Sequence, residues 1–136
     1  LAVEVLTPEG NFSSYPPHKH DVADPDAPEV ELEEVYYFRF SKHDGYGFFR
    51  QWAADGEFDR TMLVRNGDIV LCPKGYHGPT IAIPGYHMYF LNAMAGPGPE
   101  RVWCASDDPS HAWIKDNWEE LGPDPRLPLT THEGVV

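Results

Sequence analysis

At 136 residues the chain has room for one domain with a proper core and not for two. Its formal charge of −12 offers phosphates no basic footing, which argues against a nucleic-acid partner and leaves any anionic substrate to be held by local positive charge. No run approaches the ~20 apolar residues of a membrane-spanning helix and no signal peptide is visible, so no membrane partner and a cytoplasmic location are expected.

The opening Leu1, in place of Met, is read as the start of a fragment or a processed product. Fourteen Pro and twelve Gly suit many short strands joined by tight turns. Leu1 to Leu6 reads as a first strand, closed by a turn at Thr7-Pro8-Glu9-Gly10. Pro16-Pro17 then stiffens the approach to His18 and predicts an irregular strand edge, because proline donates no backbone hydrogen bond. The acidic, Pro-rich stretch Asp21–Pro28 is expected to be a solvated loop.

Glu31–Phe40 is the strongest strand signal, dense in aromatic and β-branched residues. Alternation puts Glu34, Tyr36, Phe38 and Phe40 on one face and Glu33, Val35, Tyr37 and Arg39 on the other. Further strands are predicted at Tyr46–Ala53, Thr61–Arg65, Asp68–Cys72, Thr80–Ile83 and Tyr86–Met94, with turns at Asp55-Gly56, Asn66-Gly67 and Pro84-Gly85. Pro73–Tyr76 is read as an irregular break that presents His77, and Val102-Trp103-Cys104 as an edge strand. Asp107–Ser110 looks like a helix start, so His111–Leu121 is predicted as a short helix, with Gly122–Val136 an extended tail. The pattern is all-β: an antiparallel β-barrel or double-sheet jelly roll in one domain, 1–136, with its core over about 1–104 and the helix and tail over about 105–136. Cys72 and Cys104 lack paired-thiol spacing and are read as reduced. Tyr15, Phe38 and Trp52 are read as barrel filling.

Chemistry concentrates on four residues. His18 and His20 are two apart, so both rings leave one face of an extended strand. Glu34 heads a face of buried aromatics, where an unpaired carboxylate is costly unless it has a partner. His77 supplies a third imidazole. His18, His20, Glu34 and His77 together make a first shell for a divalent transition metal with positions left open. Zinc or manganese fits, and the N/O donors do not exclude iron or nickel. His43, His87 and His111 are assigned structural or surface roles, and His132 is expected to lie in a disordered tail.

His18-x-His20, Glu34 and Gly67-x5-Pro73-x-Gly75-x-His77 resemble the two sequence motifs of the cupin superfamily, with a longer loop between His20 and Glu34 than the usual pattern. Asn11–Asp21, Leu32–Tyr37, Val64–Asp68, Gly75–His77, Leu91–Pro97 and Asp108–Trp113 are similar to the 5-deoxy-glucuronate isomerase family of myo-inositol catabolism. The resemblance implies a cupin-type barrel that is the C-terminal, metal-bearing half of a two-barrel protein, with an N-terminal cupin half as its missing partner. It implies an aldose–ketose isomerase that acts on a small-molecule sugar acid, turning 5-deoxy-D-glucuronate into 5-dehydro-2-deoxy-D-gluconate. Such chemistry needs a base near the metal, for which Tyr36, Lys74, Tyr76 and the carboxylates Glu33 and Glu34 are candidates. Arg50 and Arg65 are candidates to bind the substrate carboxylate. Other readings are a different metal cupin, a uronate isomerase or an oxygenase, and a non-catalytic sugar-binding half. A homo-oligomer is a further expectation, with the aromatic segment Trp103–Trp118 as its interface.

Overall fold

A computed structural model describes the chain except residues 25, 27, 132, 133 and 136; His132 therefore lies outside the described residues. The strands are β1 (Ala2–Thr7), β2 (Phe12–Ser13), β3 (His18–Lys19), β4 (Glu33–Phe40), β5 (Tyr46–Trp52), β6 (Asp59–Arg65), β7 (Ile69–Cys72), β8 (Tyr76–Ala82), β9 (Met88–Ala95), β10 (Ser106–Asp107), β11 (Thr130–Thr131) and β12 (Gly134–Val135). One sheet runs β1-β9-β4-β7 and a second β10-β3-β8-β5-β6 with β2 also on β8, while β11 and β12 pair with each other. Every one of these pairings is antiparallel.

The period-two pattern of the strands explains the sandwich. On β4, Glu34, Tyr36, Phe38 and Phe40 are buried while Glu33, Val35 and Arg39 are exposed, as the alternation demands. The buried face meets Phe49 of β5, Val64 of β6, Val70 and Cys72 of β7, Ala82 of β8 and Met88 and Phe90 of β9 in one continuous core. Tyr36 packs against Phe49 and Phe90 with ring centroids 4.9 and 5.2 Å apart. Both cysteines are free thiols.

Three elements differ from the sequence-based expectation. The break before His77 is confined to residues 73–75, and His77 itself is the second residue of β8. Local composition hides this, because the register between β5 and β8 shifts between Phe49 and Gln51: Phe49 faces Thr80 whereas Gln51 faces His77. The bulge keeps both His77 and Thr80 turned inward. Gly78 makes the distortion possible, since its φ is +96° and a Cβ there would stand 1.9 Å from the Ser14 carbonyl oxygen. The expected strand at Val102–Cys104 is irregular; the edge beside β3 is taken instead by β10, with Ser106 opposite Lys19 and Asp107 opposite His18. The helix is a 3₁₀ helix over Ala112–Glu120.

The tail is less detached than expected. Asn11 donates to Asp124 Oδ2, Arg126 donates to the Glu9 carbonyl, and Leu129 is buried. Trp52 and Tyr15 do not fill the interior: Trp52 stacks on Tyr76, its centroid 5.6 Å away, and the half-buried Tyr15 lies against exposed Phe12. No helix among the described residues is long and apolar enough to cross a membrane.

Candidate metal centre

The centre forms where one end of β4 meets β3 and β8 across the sandwich. His18 stands opposite His77 in the β3–β8 pair, and His20 follows β3 directly. His18 and His77 come from the six-stranded sheet and His20 directly follows its strand β3, whereas Glu34 comes from the four-stranded sheet. The nitrogens of His18, His20 and His77 lie within 4.8 Å of one another and form a group able to hold a metal ion. Glu34 Oε2 sits 3.1 Å from His20 Nε2 and 3.0 Å from His77 Nε2.

Each ring is oriented by the backbone. Nδ1 of His18, His20 and His77 lies 3.3, 3.0 and 3.3 Å from the carbonyl oxygens of Pro16, Leu32 and Gly75. A carbonyl oxygen only accepts, so each Nδ1 carries a hydrogen, and a ring in its neutral form presents a bare Nε2. His77 Nε2 is buried with no hydrogen-bond partner, because a bare nitrogen facing a carboxylate oxygen makes no hydrogen bond. A divalent cation satisfies this donor set, three imidazole nitrogens and a carboxylate, better than any side chain nearby. Burial, and then the charge of His77, hold the His18 imidazolium down to about 4. Burial disfavours the Glu34 anion, yet the hydrogen bond from His20 and the neighbouring imidazoles outweigh it and keep the carboxyl at about 2. Burial also disfavours the His20 cation, but the hydrogen bond and charge of Glu34 overcome that and raise its pKa.

The turn ahead of His77 is braced from two sides. Gln51 Nε2 donates to the Lys74 carbonyl at 3.0 Å, and Gly75 N–H donates to Asp21 Oδ2 at 2.7 Å. Asp21 in turn accepts from Lys19, whose ammonium also reaches Glu29 at 2.7 Å. Glu29, 7% exposed, ties down the acidic loop by accepting from the Asp21 and Val22 amides. Neither Gln51 nor Asn92, which donates to Glu34 Oε1, was expected from the sequence. Both are polar residues at inward positions of apolar strands, and that alternation was the available signal. Trp103 was missed too; its ring meets His18 edge-on at 5.8 Å.

The other candidates separate by face. Tyr36 is near the centre, its ring 6.1 Å from that of His77, and burial pushes its phenol well above the usual range. Tyr76 alternates with His77 and turns outward onto Trp52. Lys74 is at the surface, its ammonium paired with Glu57. Arg50 alternates with inward Gln51, forks onto Asp59 at 2.8 and 3.1 Å and lies over Trp52 at 4.1 Å. Arg65 pairs with Tyr46 at the far end of β5, six residues from the Trp52–Tyr76 pair, or ~20 Å along a strand. The structure thus brings Tyr36 to the cluster and leaves Lys74, Tyr76, Arg50 and Arg65 outside it. Glu33 is exposed on the outer face. His43 is exposed and His87 accepts from the Glu9 amide, as structural roles require. A groove of about 880 Å³ lies between the acidic loop and residues 94–102. Its lining includes Leu32 but none of the three histidines, so the donor set and not the cavity size marks the site.

The chain is 51% identical over 117 residues to 5-deoxy-glucuronate isomerase of Geobacillus kaustophilus, covering 86% of this chain and 41% of that protein. It is 49% identical to the enzyme of the same name from Lacticaseibacillus casei, covering 85% of this chain and 41% of that one. Among solved structures it superposes on an IolB-like protein of Salmonella typhimurium LT2 with a TM-score of 0.77 and 46% identity, covering 85% of this chain and 42% of that one. The chain therefore spans about two fifths of the length of these relatives. The KduI/IolB family matches residues 1–114, and the chain belongs to that family.

Proposed function

We propose that this chain is the metal-bearing part of an aldose–ketose isomerase converting 5-deoxy-D-glucuronate to 5-dehydro-2-deoxy-D-gluconate in the cytoplasm. The observation that carries the reading is the convergence of three bare imidazole nitrogens and one buried carboxylate, in a chain about half identical to proteins named for that activity. His18, His20, Glu34 and His77 would hold a divalent ion, zinc or manganese. When bound, it would polarise the sugar carbonyl and acidify the neighbouring C–H. The chain's own residues supply the rest. Pro16, Leu32 and Gly75 carbonyls fix the ring orientations, and the strand core beneath keeps water from the inner side. Tyr36, held protonated by burial, is suited to donate a hydrogen bond to a substrate oxygen and not to act as the base. His18, half-exposed among buried ligands, marks the side from which substrate enters. The two-fifths coverage of the relatives supports a second, N-terminal cupin half as the partner, with 1–136 as one domain of the whole.

The test is metal content of the purified chain together with isomerisation of 5-deoxy-glucuronate under anaerobic conditions, alone and with the remainder of a full-length relative. Metal bound near one equivalent and turnover without oxygen are expected. Glu34→Ala should lose metal at least ~10-fold while exposed Glu33→Ala keeps it. Turnover that requires oxygen, or equal metal retention by both variants, overturns the reading.

A further inference from the structure

Among the described residues, two buried side-chain polar atoms lack a hydrogen-bond partner, His77 Nε2 and Asn92 Oδ1. Both belong to the same centre, since Asn92 Nδ2 donates to Glu34 Oε1. The first is explained by the ligand set. The second is not.

Asn92 sits on β9 opposite Tyr36 of β4, one inward position from Glu34. The other inward positions of β9 are Met88, Phe90 and Met94, all apolar. A polar amide in that row, with one end unsatisfied, weakens the core unless its other end is needed. The orientation of the amide is fixed by chemistry: turned over, its carbonyl oxygen would oppose an ionised carboxylate. Glu34 Oε2 faces His20 and His77, so the two oxygens of one carboxylate are divided between the imidazoles and Asn92.

We propose that Asn92 is a positioning residue of the metal centre, whose amide N–H occupies Glu34 Oε1 so that only Oε2 is offered to the cation. The inference rests on the metal reading above. It adds a function for a strand residue that touches none of the three histidine rings. By holding the carboxylate to one donor atom, Asn92 sets both the direction of the Glu34 ligand and the number of positions that remain for substrate.

The experiment measures Zn²⁺ and Co²⁺ affinity of the purified chain by chelator competition, with metal-free thermal unfolding and the visible spectrum of the Co²⁺ form as separate readouts. Asn92→Leu keeps the branched shape, with two larger methyls in place of the amide, and removes the donor; it should weaken metal binding about 10–100-fold and alter the Co²⁺ spectrum as the freed oxygen reaches the ion. Cys72→Ala is the packing control, since Cys72 stands opposite Glu34 on β7 and makes no hydrogen bond to it. It should leave affinity within about threefold of wild type. Should Asn92→Leu not fold, Asn92→Ser, too short to reach Glu34, is expected to show the same loss. Affinity and spectrum unchanged in a folded Asn92 variant, or an equal loss in Cys72→Ala, overturns the proposal. Wild-type chain that binds neither metal defeats the metal reading itself, a different result.

Discussion

Asp21 shows how much one side chain outside the ligand set can carry. Burial disfavours its charge, yet the Lys19 ammonium and the Gly75 amide outweigh that and hold its pKa below the ordinary 3.8. A carboxylate depressed on folding contributes stability that is present above its unfolded pKa and disappears as pH falls through the folded value. At neutral pH Asp21→Asn should therefore unfold about 1–2 kcal/mol more easily than wild type. The gap should shrink as pH drops below 3.8. Urea midpoints measured across pH 2–7 check this, and a gap that stays constant would refute the assigned charge interaction. The same residue-level logic explains why Arg50 and Arg65 lie apart from the histidine cluster. Charge type names a possible partner, but only the strand phase says which way the side chain points. Phe49 and Gln51 face inward on β5, so Arg50 between them faces outward.

At the scale of elements, the sandwich depends on a few aromatic contacts between sheets. Phe49, fully buried on β5, touches both Tyr36 and Phe38 of β4, and Phe49→Ala should cost about 3–5 kcal/mol. Val35→Ala, on the outer face of β4, should cost much less, about 1 kcal/mol or below. Chemical denaturation distinguishes them, and similar losses would mean that the core is not where the packing places it. Strand β4 was legible because its alternation is unbroken from Glu33 to Phe40. Of strand β8 only the part from Thr80 was, since Gly78 and Pro79 interrupt the local signal before it and the earlier part is held by pairing with β3 and β5. Val102-Trp103-Cys104 failed in the opposite sense: its composition favours a strand, but its backbone is irregular and its indole lies edge-on to His18. Of the centre, the motif residues were readable from spacing and face. Gln51 and Asn92 were not, because a buried amide announces itself only once the strands around it are aligned.

For the whole molecule, metal should act as a stabilising ligand. At a hundred times its dissociation constant, an ion bound only by the folded chain adds about 2.7 kcal/mol. A chelator should reverse the gain, and Glu34→Ala should abolish it; thermal unfolding with and without added Zn²⁺ measures both. Equal midpoints throughout would argue against a folded metal site. The chain covers about two fifths of the length of its relatives, and the outer sheet faces carry exposed apolar residues. Ile69 and Leu71 of β7 are 62% and 64% exposed there.

One consequence follows from where the four donors originate. His18 and His77 belong to one layer, His20 directly follows a strand of it, and Glu34 belongs to the other, so an ion held by them would sit at a joint between layers and not in a pocket within one. A coordination shell tolerates only a fraction of an ångström of misfit. Whatever leans on the back of either layer can therefore tighten or loosen the grip on the ion without ever reaching it.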